Sequence, residues 1–145
     1  MTIFIGGDAS PVIEEVIEIC NNIFDIVVVC DDSHNIKYEN IKTIIVEKGV
    51  DSSDLKIVSL VKANDLVVTN DYGLSSIILA KKTYVMDSDG NQVTAENIDR
   101  LLYFRAMNAK LRRNGVRVKG PKKRDKNQNI IFKTKLKNFL NKMKD

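Results

Sequence analysis

The pattern of apolar segments predicts a three-layer α/β fold, a mostly parallel sheet with helices on both faces. Two observations carry that expectation. Residues 26–30 and 65–69 are short runs of almost unbroken Val, Ile and Leu, the pattern of strands buried on both faces rather than one. Between such runs lie segments with helical apolar spacing and helix-start residues, and alternation of strand and helix is the signature of a parallel sheet.

The elements follow in order. Residues 2–5 form the first strand, broken by Gly6-Gly7. Ser10 as N-cap and Pro11 as first helical residue predict a helix to about Asn21, with Val12, Ile13, Val16, Ile17 and Cys20 on one stripe. Glu14 and Glu15 suit the positive end of its dipole. Residues 26–30 are the second strand and 41–46 the third, closed by Lys48-Gly49. Asp51-Ser-Ser-Asp54 opens a helix carrying Leu55, Val58, Leu60 and Val61. Residues 65–69 are the fourth strand, 73–80 a short helix, and 83–86 the fifth strand before a turn at 87–90. Thr94 opens a longer helix, with Tyr103 and Phe104 expected in the core and a stop at Asn114-Gly115. A polar stretch at 120–129 leads into a basic amphipathic helix containing Ile131, Phe132, Leu136, Phe139 and Leu140. Residues 1–118 read as the α/β domain, and 119–145 as a basic loop and helix packing on it or extending it.

Several function classes are excluded. No apolar run approaches the roughly 20 residues of a membrane span, and the first residues lack a signal peptide's basic region. Cys20 and Cys30 sit in apolar sequence and read as reduced, buried thiols of a cytoplasmic protein. His34 is the sole histidine, too little for a Cys/His zinc site or a nucleophile–histidine system.

The net charge of +4 hides a division. Up to Asp99 there are 7 basic and 17 acidic residues, a net of −10; from Arg100 on there are 16 basic and 2 acidic, a net of +14. A basic end beside an acidic body points to a polyanionic partner, nucleic acid first.

Sites in open α/β sheets form at the carboxyl ends of the strands. Asp8, Asp31 and Asp32, Asp51 and Asp54, Asp71, and Asp87 and Asp89 all fall just past strands. Each has a structural alternative as a helix cap or turn residue, and Asp87 and Asp89 read as turn residues. Carboxylates gathered at one edge repel unless a cation lies between them, and Mg²⁺ or Mn²⁺ suits such hard oxygen donors. No dinucleotide loop or P-loop is present.

Thr2-Ile-Phe-Ile-Gly-Gly-Asp-Ala-Ser-Pro11 resembles the opening of the YaiI/YqxD family of uncharacterised bacterial proteins, a short strand followed by D-x-D-A-C-P. Gly49-Val-Asp51-Ser-Ser-Asp54 is similar to its G-x-D-x-x-D segment, and Asp65-Leu-Val-Val-Thr69-Asn-Asp71-Tyr-Gly-Leu74 to its D-x-V-x-T-x-D-x-x-L segment. Arg105, Arg112, Gly115 and Gly120-Pro121 fall on its R-x-x-x-x-x-x-R-x-x-G…G-P pattern. The resemblance implies a PIN-like fold and metal-dependent nuclease chemistry, with Asp8, Asp54 and Asp71 as catalytic, metal-binding carboxylates and Asp51 beside them. Three positions depart from the family. Gly6 replaces its first acidic residue, Ser10 its cysteine, and Gln128-Asn129 an Asp-Arg pair. Asp31, Asp32 or a water are alternatives for the missing ligand.

Arg105, Arg112, Arg113, Arg117, Lys119, Lys122, Lys123 and Arg124 are the expected phosphate contacts. A merely solvated basic surface is the alternative. The expected function is a Mg²⁺- or Mn²⁺-dependent nuclease acting on RNA, with DNA as the alternative substrate, degenerate if Gly6 removes an essential ligand. The alternatives are a non-catalytic nucleic-acid-binding module and an interaction protein. Homo-oligomerisation is left open.

Overall fold

The computed structural model describes residues 1–31, 38, 41–49, 52–118 and 123–144, leaving aside the side chains of Asp8, Ser10 and Lys144. Six strands form one sheet: β1 (Thr2–Gly6), β2 (Asp25–Asp31), β3 (Lys42–Val46), β4 (Leu66–Val68), β5 (Tyr84–Met86) and β6 (Gln92–Val93). Their order is β3-β2-β1-β4-β5-β6, parallel throughout except that β6 runs antiparallel to β5. The chain builds outward from β1 to β3, then crosses back to lay β4 on the other side of β1. That reversal is the point where neighbouring loops diverge and leave a crevice at the strand ends.

Alternation along the buried strands sends side chains to two cores. Ile3, Ile5, Val28, Leu66 and Val68 face α1 (Ile13–Cys20) and α5 (Lys126–Lys144), meeting Ile13, Val16, Phe132, Leu136 and Leu140. Phe4, Val27, Val29 and Val67 face the other layer, α2 (Ser52–Leu60), α3 (Tyr72–Leu79) and α4 (Ile98–Arg113), meeting Ile57, Leu74, Ile78 and Ile98. The expected three-layer α/β architecture is what the chain adopts.

Some local expectations need correction. Helix α1 starts at Ile13, with Val12 at its N-cap and no side-chain cap; residues Gly7–Val12 form a 3₁₀ helix that contains Pro11. The tighter helix lets the chain turn directly off β1, and a Cβ on Gly7 would lie 3.4 Å from that of Cys30 on β2. Tyr103 and Phe104 are 60% and 55% exposed rather than in the core. Helix α4 buries only Ile98 fully, with Leu101 and Leu102 packed partly against the core, so its later turns leave the body. In α5, Ile131 is exposed while Phe132, Leu136 and Leu140 are buried.

The end of α4 and the start of α5 are closed by local bonds. Gly115 (φ +80°) follows α4; its N–H donates to Arg112 O, and that of Val116 to Leu111 O, the paired bonds of a Schellman stop. Before α5, Asp125 N donates to Gln128 Oε1 and Gln128 N to Asp125 Oδ1, a reciprocal capping box. Gln128 therefore has a structural role of its own.

Candidate functional site

Strand β4 ends at Val68, and the next three residues are held tightly. Buried Thr69 donates its N–H to Met86 O at 3.0 Å, and Asp71 N donates to Thr69 Oγ1 at 3.1 Å. Asp71 is the N-cap of α3: its Oδ1 accepts from Leu74 N at 3.0 Å, and its carbonyl accepts from Ser75 N and Oγ. The carboxylate is thus fixed at the positive end of a helix, on the edge where the strand order reverses.

Asp54, half-buried in the first turn of α2, hydrogen-bonds to Asp71 through its carboxyl group. Burial pushes Asp71 upward, but the Leu74 N–H, the Asp54 hydrogen bond, the Gly73 N–H and the positive charge of Arg105 together outweigh it and hold Asp71 below the ordinary carboxylate range. Arg105 reaches in from α4, its guanidinium carbon 5.8 Å from the centre of the Tyr72 ring. A groove of about 380 Å³ beside the pair is bounded by Leu55, Val58, Leu74 and Ile77. A larger cavity, about 870 Å³, lies at the opposite edge of the sheet around Thr2, Asp25 and Lys42, away from these carboxylates.

The donor set fits a hard divalent cation in kind: two adjacent carboxyls needing a positive charge between them. Among the described residues no group of three or more His, Cys, Asp or Glu side chains is gathered for a metal. Of the four expected carboxylates, the structure brings Asp54 and Asp71 together. Asp8 lies in the 3₁₀ helix directly after β1, but its side chain, like Asp51, is outside the described residues. Asp31 ends β2, while Asp32 and His34 are also outside.

The basic residues separate into two groups. Arg105, Arg112, Arg113 and Arg117, on and just after α4, are exposed, as is Lys123. Arg124 is half-buried and engaged within the fold: Nη2 donates to Ser88 O at 2.7 Å and Nε to Asn129 Oδ1 at 2.7 Å, with Asp89 3.5 Å from Nη1. Lys119 and Lys122 are outside the described residues. Asp87 and Asp89 are turn residues as expected. Asp87 Oδ1 accepts from Asp89 N and Asn91 N, and burial raises its carboxyl despite both bonds.

Sequence reasoning missed two supports of this edge. Asn70 Oδ1 accepts from both Ser88 N and Ser88 Oγ at 3.0 Å, tying the end of β4 to the loop after β5. Buried Asp65 accepts from Thr2 N and Lys62 N, each at 2.9 Å, fixing the starts of β1 and β4 side by side. Position beside a strand was the available signal for both, but it resembles that of any loop Asx residue. Neither cysteine offers a nucleophile: both are buried, and burial pushes the Cys20 thiol up to about 12.

Comparison with known proteins agrees with the motifs. The family model described as "Uncharacterized BCR, YaiI/YqxD family" matches residues 4–142. The chain is 44% identical to a "UPF0178 protein" of Enterococcus faecalis over 140 residues, 94% of this chain and 95% of the relative. It is 36% identical to a "UPF0178 protein" of Exiguobacterium sibiricum over 145 residues, the full length of both. A third, from Alkaliphilus metalliredigens, is 39% identical over 98% of this chain and 93% of its own. No solved structure matches the chain significantly. No described helix is long and apolar enough to cross a membrane.

Proposed function

We propose that this chain, which belongs to the uncharacterised YaiI/YqxD family of bacterial proteins, is a PIN-like, Mg²⁺- or Mn²⁺-dependent phosphodiesterase acting on RNA. The observation that supports this reading is the hydrogen-bonded pair Asp54–Asp71 at the strand-order reversal, flanked by Arg105. Asp54 and Asp71 would hold the ion, with Asp8 and Asp51 completing its ligands. A divalent ion bound there supplies a water of lowered pKa and neutralises charge developing on the phosphate. Asp71 presents a carboxylate already ionised and rigidly capped, and Arg105 offers a guanidinium to a phosphate oxygen beside it. Arg112 and Arg113 extend positive charge along the same helix and Arg117 just beyond it, supporting phosphate-backbone contact without base readout. Cys20 and Cys30, buried and not joined in a disulfide, support a reducing, cytoplasmic setting.

Gly6 favours a second reading, a nucleic-acid-binding module without catalysis, because it puts no side chain where the family has a carboxylate. One assay separates the two. Labelled single-stranded RNA is incubated with Mn²⁺ and wild type, Asp54→Asn or Asp71→Asn. Each substitution is expected to lower cleavage by about 100-fold or more, since losing even outer-shell support of a metal costs 10–100-fold. Equal cleavage by all three proteins would sink the site. Salt-sensitive retention of RNA with no cleavage, and cleavage gained on Gly6→Asp, would establish the second reading.

A further inference from the structure

Two arginines near this edge are held in opposite ways. The Arg124 guanidinium turns its N–H groups inward, to Ser88 O, Asn129 Oδ1 and Asp89. Arg105 is exposed, and among the described residues its guanidinium forms no hydrogen bond or ion pair. It meets the ring of Tyr72 instead, its guanidinium carbon 5.8 Å from the centroid, within reach of a cation–π contact. Such a contact uses the flat face of the guanidinium and leaves the N–H groups around its edge free.

Tyr72 is placed to hold a neighbour still. It is the first residue of α3, directly after the capping Asp71, and it is half-buried against the core that α2, α3 and α4 share. Burial, with the charges of Asp87 and Asp89, pushes its phenol upward despite Arg105. A neutral phenol offers the arginine a ring face, whereas a phenolate would draw the N–H groups onto its oxygen. We propose that Tyr72 is a positioning residue: its ring holds the Arg105 guanidinium beside Asp71 with the N–H edge open to a phosphate oxygen. The proposal rests on the phosphate contact assigned to Arg105 above and adds the group that orients it. It differs from base stacking on Tyr72, because the arginine lies over the ring that a base would take.

Filter retention of a labelled single-stranded RNA, with metal chelated so that none is cut, tests the coupling. Arg105→Ala is expected to weaken binding by about 10-fold, the worth of a charge-assisted contact. Tyr72→Leu should weaken it by about 5-fold, because an unheld arginine must be ordered as it binds, and Tyr72→Phe should bind like wild type. In the Arg105→Ala background, Tyr72→Leu should have no further effect, since Tyr72 acts only through the arginine. A second readout needs no RNA. The Arg105 Nε–H resonance, assigned by its loss in Arg105→Ala, should be shifted upfield by the ring in wild type and Tyr72→Phe, and return to the ordinary arginine position in Tyr72→Leu. Losses that add in the double variant, as base stacking on Tyr72 or a collapsed helix start would give, overturn the proposal. So do an unshifted Arg105 resonance in wild type, binding indifferent to Tyr72→Leu, or no RNA retained at low salt. Coupling without cleavage in Mn²⁺ upholds the proposal and counts against the catalytic reading alone; cleavage without coupling does the reverse.

Discussion

Asp71 does two things that mutation can separate. As N-cap of α3 it accepts from Leu74 N, and as a carboxylate it bonds to Asp54. Asparagine keeps a side-chain oxygen at the cap; alanine does not. Asp71→Ala is expected to lower stability by about 1 kcal/mol, and Asp71→Asn by much less, read as chemical-denaturation midpoints at unchanged slope. Loss of activity in Asp71→Asn is then a statement about chemistry rather than folding. Legibility at this scale was uneven. Asp54 and Asp71 were readable because each begins a helix after a strand-like run, and the topology brings those helix starts to one edge. Asp65 and Asn70 were not readable as supports. Their partners, Thr2 and Ser88, lie 63 and 18 residues away, and such pairings come from the fold rather than from local pattern. Arg124 looked like one more charge in a basic run, and only its contact with Ser88, 36 residues back, shows that it braces the loop after β5.

At the level of elements, the buried strands and the bodies of the helices were placed correctly because buried strands and amphipathic helices impose strong periodicities, whereas the starts of α1 and α4 were placed too early. Strand β6 was not anticipated, since two residues are too few to show a period. The fate of α4 was also hidden. Its apolar residues lie on two sides, and a sequence cannot say which side meets the body; Tyr103 and Phe104 took the outer one. Helix α5 differs, because most of its apolar residues lie on one side. Its amphipathic spacing was legible, and Phe132, Leu136 and Leu140 are buried against Ile3, Ile5, Ile13 and Val16. Phe132→Ala is expected to cost about 3–5 kcal/mol, measured by denaturant titration, because a fully buried ring under the central strand leaves a cavity. The ion pair Lys133–Glu18, at 2.8 Å between α5 and α1, is surface-exposed, so its removal should matter far less.

For the whole molecule, the division between an acidic body and a basic end acquires a shape. The exposed part of the basic end begins at Arg100, passes Arg105 beside Asp71, and runs along α4 to Arg117 just beyond it. If Arg105, Arg112, Arg113 and Arg117 each meet one phosphate of a single strand, the logarithm of the RNA association constant should fall with that of salt with a slope of roughly −3, from about −0.7 per phosphate. Arg112→Ala should flatten that slope by about 0.7, and filter binding across a salt series measures both. Arg124→Ala is expected to leave the slope nearly unchanged and to loosen the loop at Ser88 instead.

The position of α5 also governs how the chain comes into being. Strand β1 is made first and lies at the centre of the sheet, but three of the side chains covering one of its faces belong to residues 132, 136 and 140. During translation, Ile3 and Ile5 therefore emerge long before their cover exists. That half of the core cannot close until α5 has emerged, so β1 stays partly uncovered while the residues between the two are made.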